Sequence, residues 1–159
     1  MKLEPCETRL EIPPEWTDQN GHMNVAYYVL AFDRARETLY NALGIGWSYL
    51  DDTGRSTFTL AMNVDYLKEV FAGDRVRIVS RVIDCDHKRV HYFHEMHHTT
   101  KAYLAATSEL LSIHINMATR RSEPFPANVQ TLLVEMKAAH AVLPRSPQIG
   151  RKLAIRVNG

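Results

Sequence analysis

The sequence predicts an α+β fold, an antiparallel β-sheet curved around one long central helix. Three observations predict it. Apolar residues recur at three- and four-residue steps from Val25 to Leu43, the mark of a long buried helix. Four later stretches alternate apolar and polar residues, as half-buried strands do. The links between those strands are too short for parallel crossovers, so they pair as antiparallel neighbours. One sheet must then bury one long apolar helix, and it does so by bending around it.

The elements follow in order. Residues 7–12 alternate, with Thr8, Leu10 and Ile12 on one face, and Pro13-Pro14 stop this first strand. Asn24 is a helix N-cap by type and position. Val25, Tyr28, Phe32, Ala35, Leu39 and Leu43 form the helical stripe, and Val29 widens it. Gly44-Ile45-Gly46 ends the helix, with Gly44 suited to the left-handed cap position. In the next strand Phe58, Leu60, Met62, Val64 and Tyr66 alternate with Thr59, Ala61, Asn63 and Asp65. Further strands are predicted over 75–82, 89–98 and 103–118, separated by Ala72-Gly73-Asp74, Asp84-Cys85-Asp86-His87 and Thr99-Thr100-Lys101. A last amphipathic helix is predicted over 128–143, stopped by Pro144 and followed by a basic tail over 144–159.

The bulk properties narrow the function. All 159 residues form one predicted domain, long enough to bury about two-thirds of its extended surface. The formal net charge is +1, so no global field favours nucleic acid or a membrane surface. No apolar run approaches the ~20 residues a membrane helix needs. Two cysteines are too few for a disulfide framework, and the N-terminus lacks the apolar core of a signal peptide, so a cytoplasmic protein is expected. No acidic residue follows Glu135, whereas Lys137, Arg145, Arg151, Lys152 and Arg156 are basic. The sheet has few partners for its second face and its edges, which predicts a homodimer or a dimer of dimers.

Chemistry concentrates in Asp18-Gln19-Asn20-Gly21-His22-Met23-Asn24, which runs straight into the long helix. A helix start carries free N–H groups and about half a unit of positive charge. A carboxylate placed beside such an end suits reactions in which a carbonyl becomes an oxyanion. His87, His91, His94 and His98 have helical spacing, but Val90, Tyr92 and Phe93 favour a strand there. On a strand His91 and His97 face one way and His94 and His98 the other, so no metal site is predicted.

The element order and the Asp18 loop together resemble the hot-dog thioesterases, which hydrolyse acyl-CoA or acyl-carrier-protein thioesters. Asp18, Gly21 and Tyr28 match the spacing of the 4-hydroxybenzoyl-CoA thioesterase branch. Asp18, Asn20, His22 and Asn24 match the Asp-x-Asn-x-His-x-Asn pattern of the plant acyl-carrier-protein branch. Nearly the whole chain is similar to the bacterial betainyl-CoA thioesterases associated with carnitine breakdown. That likeness rests on Asn20-Gly21-His22, Thr57-Phe58-Thr59-Leu60, Asp65-Tyr66-Leu67-Lys68-Glu69-Val70, Asp86-His87-Lys88-Arg89-Val90-His91 and Ile149-Gly150-Arg151-Lys152.

The resemblance implies a catalytic set of Asp18, Asn20, His22 and Val25. Asp18 is nucleophile or general base, and the Val25 backbone amide is the oxyanion donor. Asn20 and His22 orient water or the thioester carbonyl. Gly21 lets the loop turn beside the substrate. Tyr27 and Tyr28, with Trp47, Tyr92 and Phe93, offer aromatic faces to a trimethylammonium group. Lys88 and Arg89, and Arg120-Arg121, are candidate contacts to coenzyme A phosphates. Coenzyme A is part of the substrate, and no cofactor is expected. Two other readings are a non-catalytic acyl-CoA-binding module and a hot-dog dehydratase or hydratase; the His-Phe-Pro-like turn of the latter is absent from the sequence.

Overall fold

The computed structural model describes residues 3–155, so Arg156 of the basic tail and the first two residues lie outside the described residues. Strand β1 (Cys6–Glu11) leads through a 3-10 turn at Pro14–Trp16 into the Asp18 loop and helix α1 (Val25–Leu43). A short helix α2 (Tyr49–Thr53) precedes β2 (Arg55–Tyr66), β3 (Arg75–Cys85), β4 (Arg89–His98), β5 (Leu104–Asn116), the two-residue β6 (Arg121–Ser122) and helix α3 (Ala127–His140). The sheet order is β1-β3-β4-β5-β2, with β6 beside β5, and every pairing is antiparallel. Among the described residues no helix is long and apolar enough to cross a membrane.

Helix α1 starts and stops where the sequence says. The Asn24 side chain accepts the Ala26 N–H at 3.0 Å, and Gly44 sits at φ 76° in the left-handed region. Its stripe of Tyr28, Phe32, Ala35, Leu39 and Leu43 is buried against the sheet. One end of that core gathers Trp16, Met23, Phe32, Val76, Ile78 and Met96. The other gathers Leu39, Leu43, Tyr92, Phe125 and Leu133, the last from α3. Each fully buried side chain of this size contributes on the order of 2 kcal/mol. The core also holds a polar column. His94 is fully buried, stacks on Phe32 with centroids 5.8 Å apart, and lies with Nδ1 2.7 Å from the Ser80 hydroxyl. Burial, helped by the nearby Arg36 charge, pushes its pKa down to about 3, so it packs as a neutral ring.

The structure corrects the sequence reading in four places. Phe58, Leu60, Met62, Val64 and Tyr66 do not share one face. Leu60 is the extra residue of a β-bulge between Thr59 and Ala61, and it inverts the alternation. Thr57 and Thr59 before it, and Met62, Val64 and Tyr66 after it, therefore face α1. Strand β2 also starts earlier, at Arg55, whose guanidinium pairs with Glu123. Helix α3 ends at His140 rather than Leu143. There the chain leaves the helix and sends the Pro144 carbonyl to the Arg81 guanidinium at 2.9 Å. The second face of the sheet is consequently not bare. Residues 144–151 cross it from Arg81 on β3 to Glu109 on β5 and Asp65 on β2.

Candidate active site

The loop before α1 is shaped by its own backbone. Asp18 N–H donates to the His22 carbonyl at 3.1 Å, and Gly21 N–H donates to the Asp18 carbonyl at 3.0 Å. Gly21 has φ 84°, which only glycine adopts without strain. Two bridges, Thr17 to Met23 and His22 to Phe71, pin the loop to its surroundings. Met23 N–H reaches the Val70 carbonyl at 2.8 Å, and Asn24 N–H reaches the Trp16 carbonyl at 2.9 Å. The result is a fixed approach to the helix start.

A cavity of about 260 Å³ opens at that start, lined by Asp18, His22, Met23, Asn24, Val25, Tyr28, Tyr66, Leu67, Lys68 and Glu69. The Asp18 carboxylate is about one-third exposed there. Its Oδ1 accepts the Asn20 N–H at 2.8 Å, and its Oδ2 lies 3.4 Å from His22 Nδ1. Asn20 thus meets Asp18 through its backbone rather than its amide side chain. The Asn24 side chain takes the Ala26 N–H and its carbonyl takes the Tyr27 N–H at 3.0 Å. No described residue accepts the Val25 N–H, so it remains a free donor at the positive end of α1. The Tyr66 hydroxyl reaches the Val25 carbonyl at 3.4 Å, and its ring meets Tyr28 edge-on at 5.2 Å. Burial raises the Tyr28 phenol above its ordinary value, against the pull of the Val70 backbone, and burial also raises Tyr66. Both are neutral donors near pH 7.

The structure brings Asp18, His22, Val25 and Tyr28 to one cavity. Tyr27 instead stacks on Trp16 at 5.6 Å, and Arg34 covers the other ring at 4.9 Å. Tyr92 and Phe93 are fully buried core residues. Trp47 borders a separate cavity of about 170 Å³ with Glu37 and Tyr40. Lys88 and Arg89 lie at the far end of β3, ten residue steps, or about 33 Å measured along an ideal strand, from the turn that the loop bridges to. There Lys88 Nζ meets the Ser122 hydroxyl and Arg89 pairs with Asp86. The histidines on β4 go to separate partners: His91 to Glu109 at 2.8 Å, His94 to Ser80, and His98 to the Lys101 N–H at 3.0 Å. Sequence reasoning gave no role to Tyr66, Leu67, Lys68 or Glu69, although they lie in one of the stretches that carried the resemblance.

Comparison with known proteins identifies the family. Residues 12–133 match the thioesterase-like superfamily. A betainyl-CoA thioesterase of Pseudomonas aeruginosa is 33% identical over 150 residues, covering 93% of this chain and 94% of that protein. An L-carnitine dehydrogenase/betainyl-CoA thioesterase of Rhizobium meliloti is 28% identical over 86% of this chain and 27% of its own length. A Staphylococcus aureus protein solved in complex with CoA superposes with a TM-score of 0.90 at 27% identity, covering 98% of both chains.

Proposed function

The chain belongs to the thioesterase-like superfamily, has its hot-dog fold and is an acyl-CoA thioester hydrolase; from that premise we propose that Asp18 and the Val25 amide carry the reaction on a small, polar acyl group such as betainyl. The observation that supports it most is a carboxylate and an unclaimed helix-start N–H on one cavity wall. The thioester carbonyl sits with its oxygen toward the Val25 N–H. Asp18 either attacks the carbonyl carbon, giving a mixed anhydride that water then opens, or takes a proton from the attacking water. The thiolate of coenzyme A leaves in both routes. One preorganised amide donor is worth ~10²–10³ in rate. His22, 3.4 Å from Asp18 Oδ2, orients the carboxylate or the water, and Asn20 fixes Oδ1 through its N–H. Gly21 keeps the turn that makes this possible. Tyr28 offers its face to the acyl group, and Tyr27 backs the same helix turn. Coenzyme A enters as part of the substrate, without a separate cofactor.

Asp18→Asn tests the reading. Wild-type protein releases free CoA thiol from betainyl-CoA, and the variant loses at least ~100-fold in kcat while still binding CoA. Equal turnover by the variant removes the mechanism. Faster release from long-chain or aromatic acyl-CoA removes the substrate assignment and leaves the mechanism standing.

The free edge of β2 is assigned to a second copy of the chain. It exposes Phe58, Leu60 and Met62. The Leu60 bulge gives the strand two halves of opposite alternation, so an antiparallel two-fold between Leu60 and Ala61 matches the α1-facing residues of both copies. Tyr66 then lies opposite Arg55 of the partner subunit, beside the cavity. Lys88 and Arg89 contact coenzyme A in this reading only from a neighbouring protomer. Sedimentation equilibrium is expected to give twice the 18.2 kDa chain mass or a higher even multiple; a monomer at micromolar concentration sinks the assembly.

A further inference from the structure

Asp65 sits on β2 next to Tyr66, but its side chain points to the opposite face of the sheet. It is only 9% exposed, and a buried carboxylate needs a partner. That partner comes from far along the chain. The segment 144–151 crosses the outer face of the sheet as a strap. It is held by the Pro144 carbonyl on Arg81, by buried Ile149, and by the Gly150 N–H, which donates to the Glu109 carboxylate at 2.9 Å. Gly150 has φ 74°, the turn that aims the next residue at β2. Arg151 then pairs with Asp65, and its carbonyl accepts from the Asn63 amide at 3.5 Å.

Alternation along β2 gives these contacts their meaning. Asn63 and Asp65 face the strap, whereas Val64 and Tyr66 face α1. Each strap contact is therefore back to back with a residue on the α1 side. Within one copy of the chain β2 is hydrogen-bonded to β5 alone, and in the dimer proposed above its other edge carries the second copy. The pairing with β5 already fixes its register, so the strap adds a local grip at its C-terminal end.

We propose that Arg151 is a positioning residue: by gripping Asp65 from the outer face, it holds Tyr66 against the first turn of α1 and so fixes the wall of the thioesterase cavity. This rests on the functional reading only in taking that cavity as the site. The strap lies outside the 12–133 stretch of the superfamily match, and Ile149-Gly150-Arg151-Lys152 is among the stretches that carry the likeness to the betainyl-CoA thioesterases.

The test compares Arg151→Met, which keeps the aliphatic stem and removes the charge, with Arg151→Lys, which restores a cation. Turnover of acyl-CoA and amide hydrogen exchange are both read well below the unfolding temperature. For R151M, kcat/KM is expected to fall about tenfold, and exchange over residues 62–68 to rise while that of β3 and β4 stays at the wild-type rate. R151K is expected to recover at least half of the lost activity. Wild-type kcat and KM in R151M overturn the proposal, as does faster exchange spread over the whole sheet, which signals general destabilisation. If R151M does not fold, the D65N/R151M pair leaves no unpaired buried charge and carries the same readouts. If wild-type protein turns over no acyl-CoA, the functional reading fails, while the exchange pattern still judges the grip on β2.

Discussion

Two turns in this molecule start from an aspartate and are built almost alike, yet they differ in what remains unspent. In one, Asp18 N–H bonds the His22 carbonyl and Oδ1 accepts the Asn20 N–H. In the other, Asp86 N–H bonds the Arg89 carbonyl, and Oδ1 accepts from both the Lys88 and Arg89 amides. The second turn then spends its other oxygen as well, on the Arg89 guanidinium at 2.6 Å. Burial pulls the Asp86 carboxyl up, but the Arg89 side-chain bond, the two amides and the guanidinium charge outweigh it and bring it down to about 2. The Asp18 loop has no such cation. Its second oxygen faces a cavity and a one-third-exposed imidazole, next to an N–H that no described residue accepts. A turn carboxylate saturated by its own chain is structural, and one left unsaturated beside a free donor is equipped for chemistry.

The sharpest way to break this comparison is to remove the free donor. Val25→Pro deletes the N–H at the first helical position, where proline is tolerated. Asn24 already has the extended ψ of 146° that a following proline requires. We expect kcat to fall ~10²–10³-fold with the unfolding temperature little changed. Wild-type turnover in this variant shows that the oxyanion is held elsewhere.

A smaller effect is expected at the saturated turn. Arg89→Met releases the Asp86 carboxyl from about 2 toward its ordinary 3.8, which an NMR pH titration reads directly. A depressed carboxylate stabilises the fold above its unfolded pKa, and that contribution is lost as pH falls toward the folded value. R89M therefore gives up part of this reserve and unfolds at a higher pH on acidification. Its kcat is expected to hold, and its KM to rise at most about fivefold, the worth of one exposed ionic contact. A collapse of kcat in R89M ends the distinction between the two turns.

What was legible in the sequence was local. The cap at Asn24, the left-handed end at Gly44 and the stripe from Tyr28 to Leu43 are fixed by neighbours a turn or less away. The alternation of β3, β4 and β5 gave their existence, and the Asp18 loop with its free helix start was visible as a motif. The missing parts depend on contacts between distant residues. Residues 144–151 have no periodicity to read, because their order comes from Arg81, Glu109 and Asp65. The extra residue at Leu60 is invisible in a run that alternates without a break. Tyr66 and Lys68 reach the cavity only because β2 ends beside the first turn of α1.

That extra residue also bears on how such a gene can drift. Deleting the codon for Leu60 removes the extra residue and leaves every later pairing with β5, and so every later face, as it is, whereas inserting one more residue beyond the bulge turns every later residue inside out. Tyr66 would then swap places with Asp65, moving a phenol to the strap and a carboxylate to the cavity wall. Descendants of this sequence should lose a residue at Leu60 more readily than they gain one along β2.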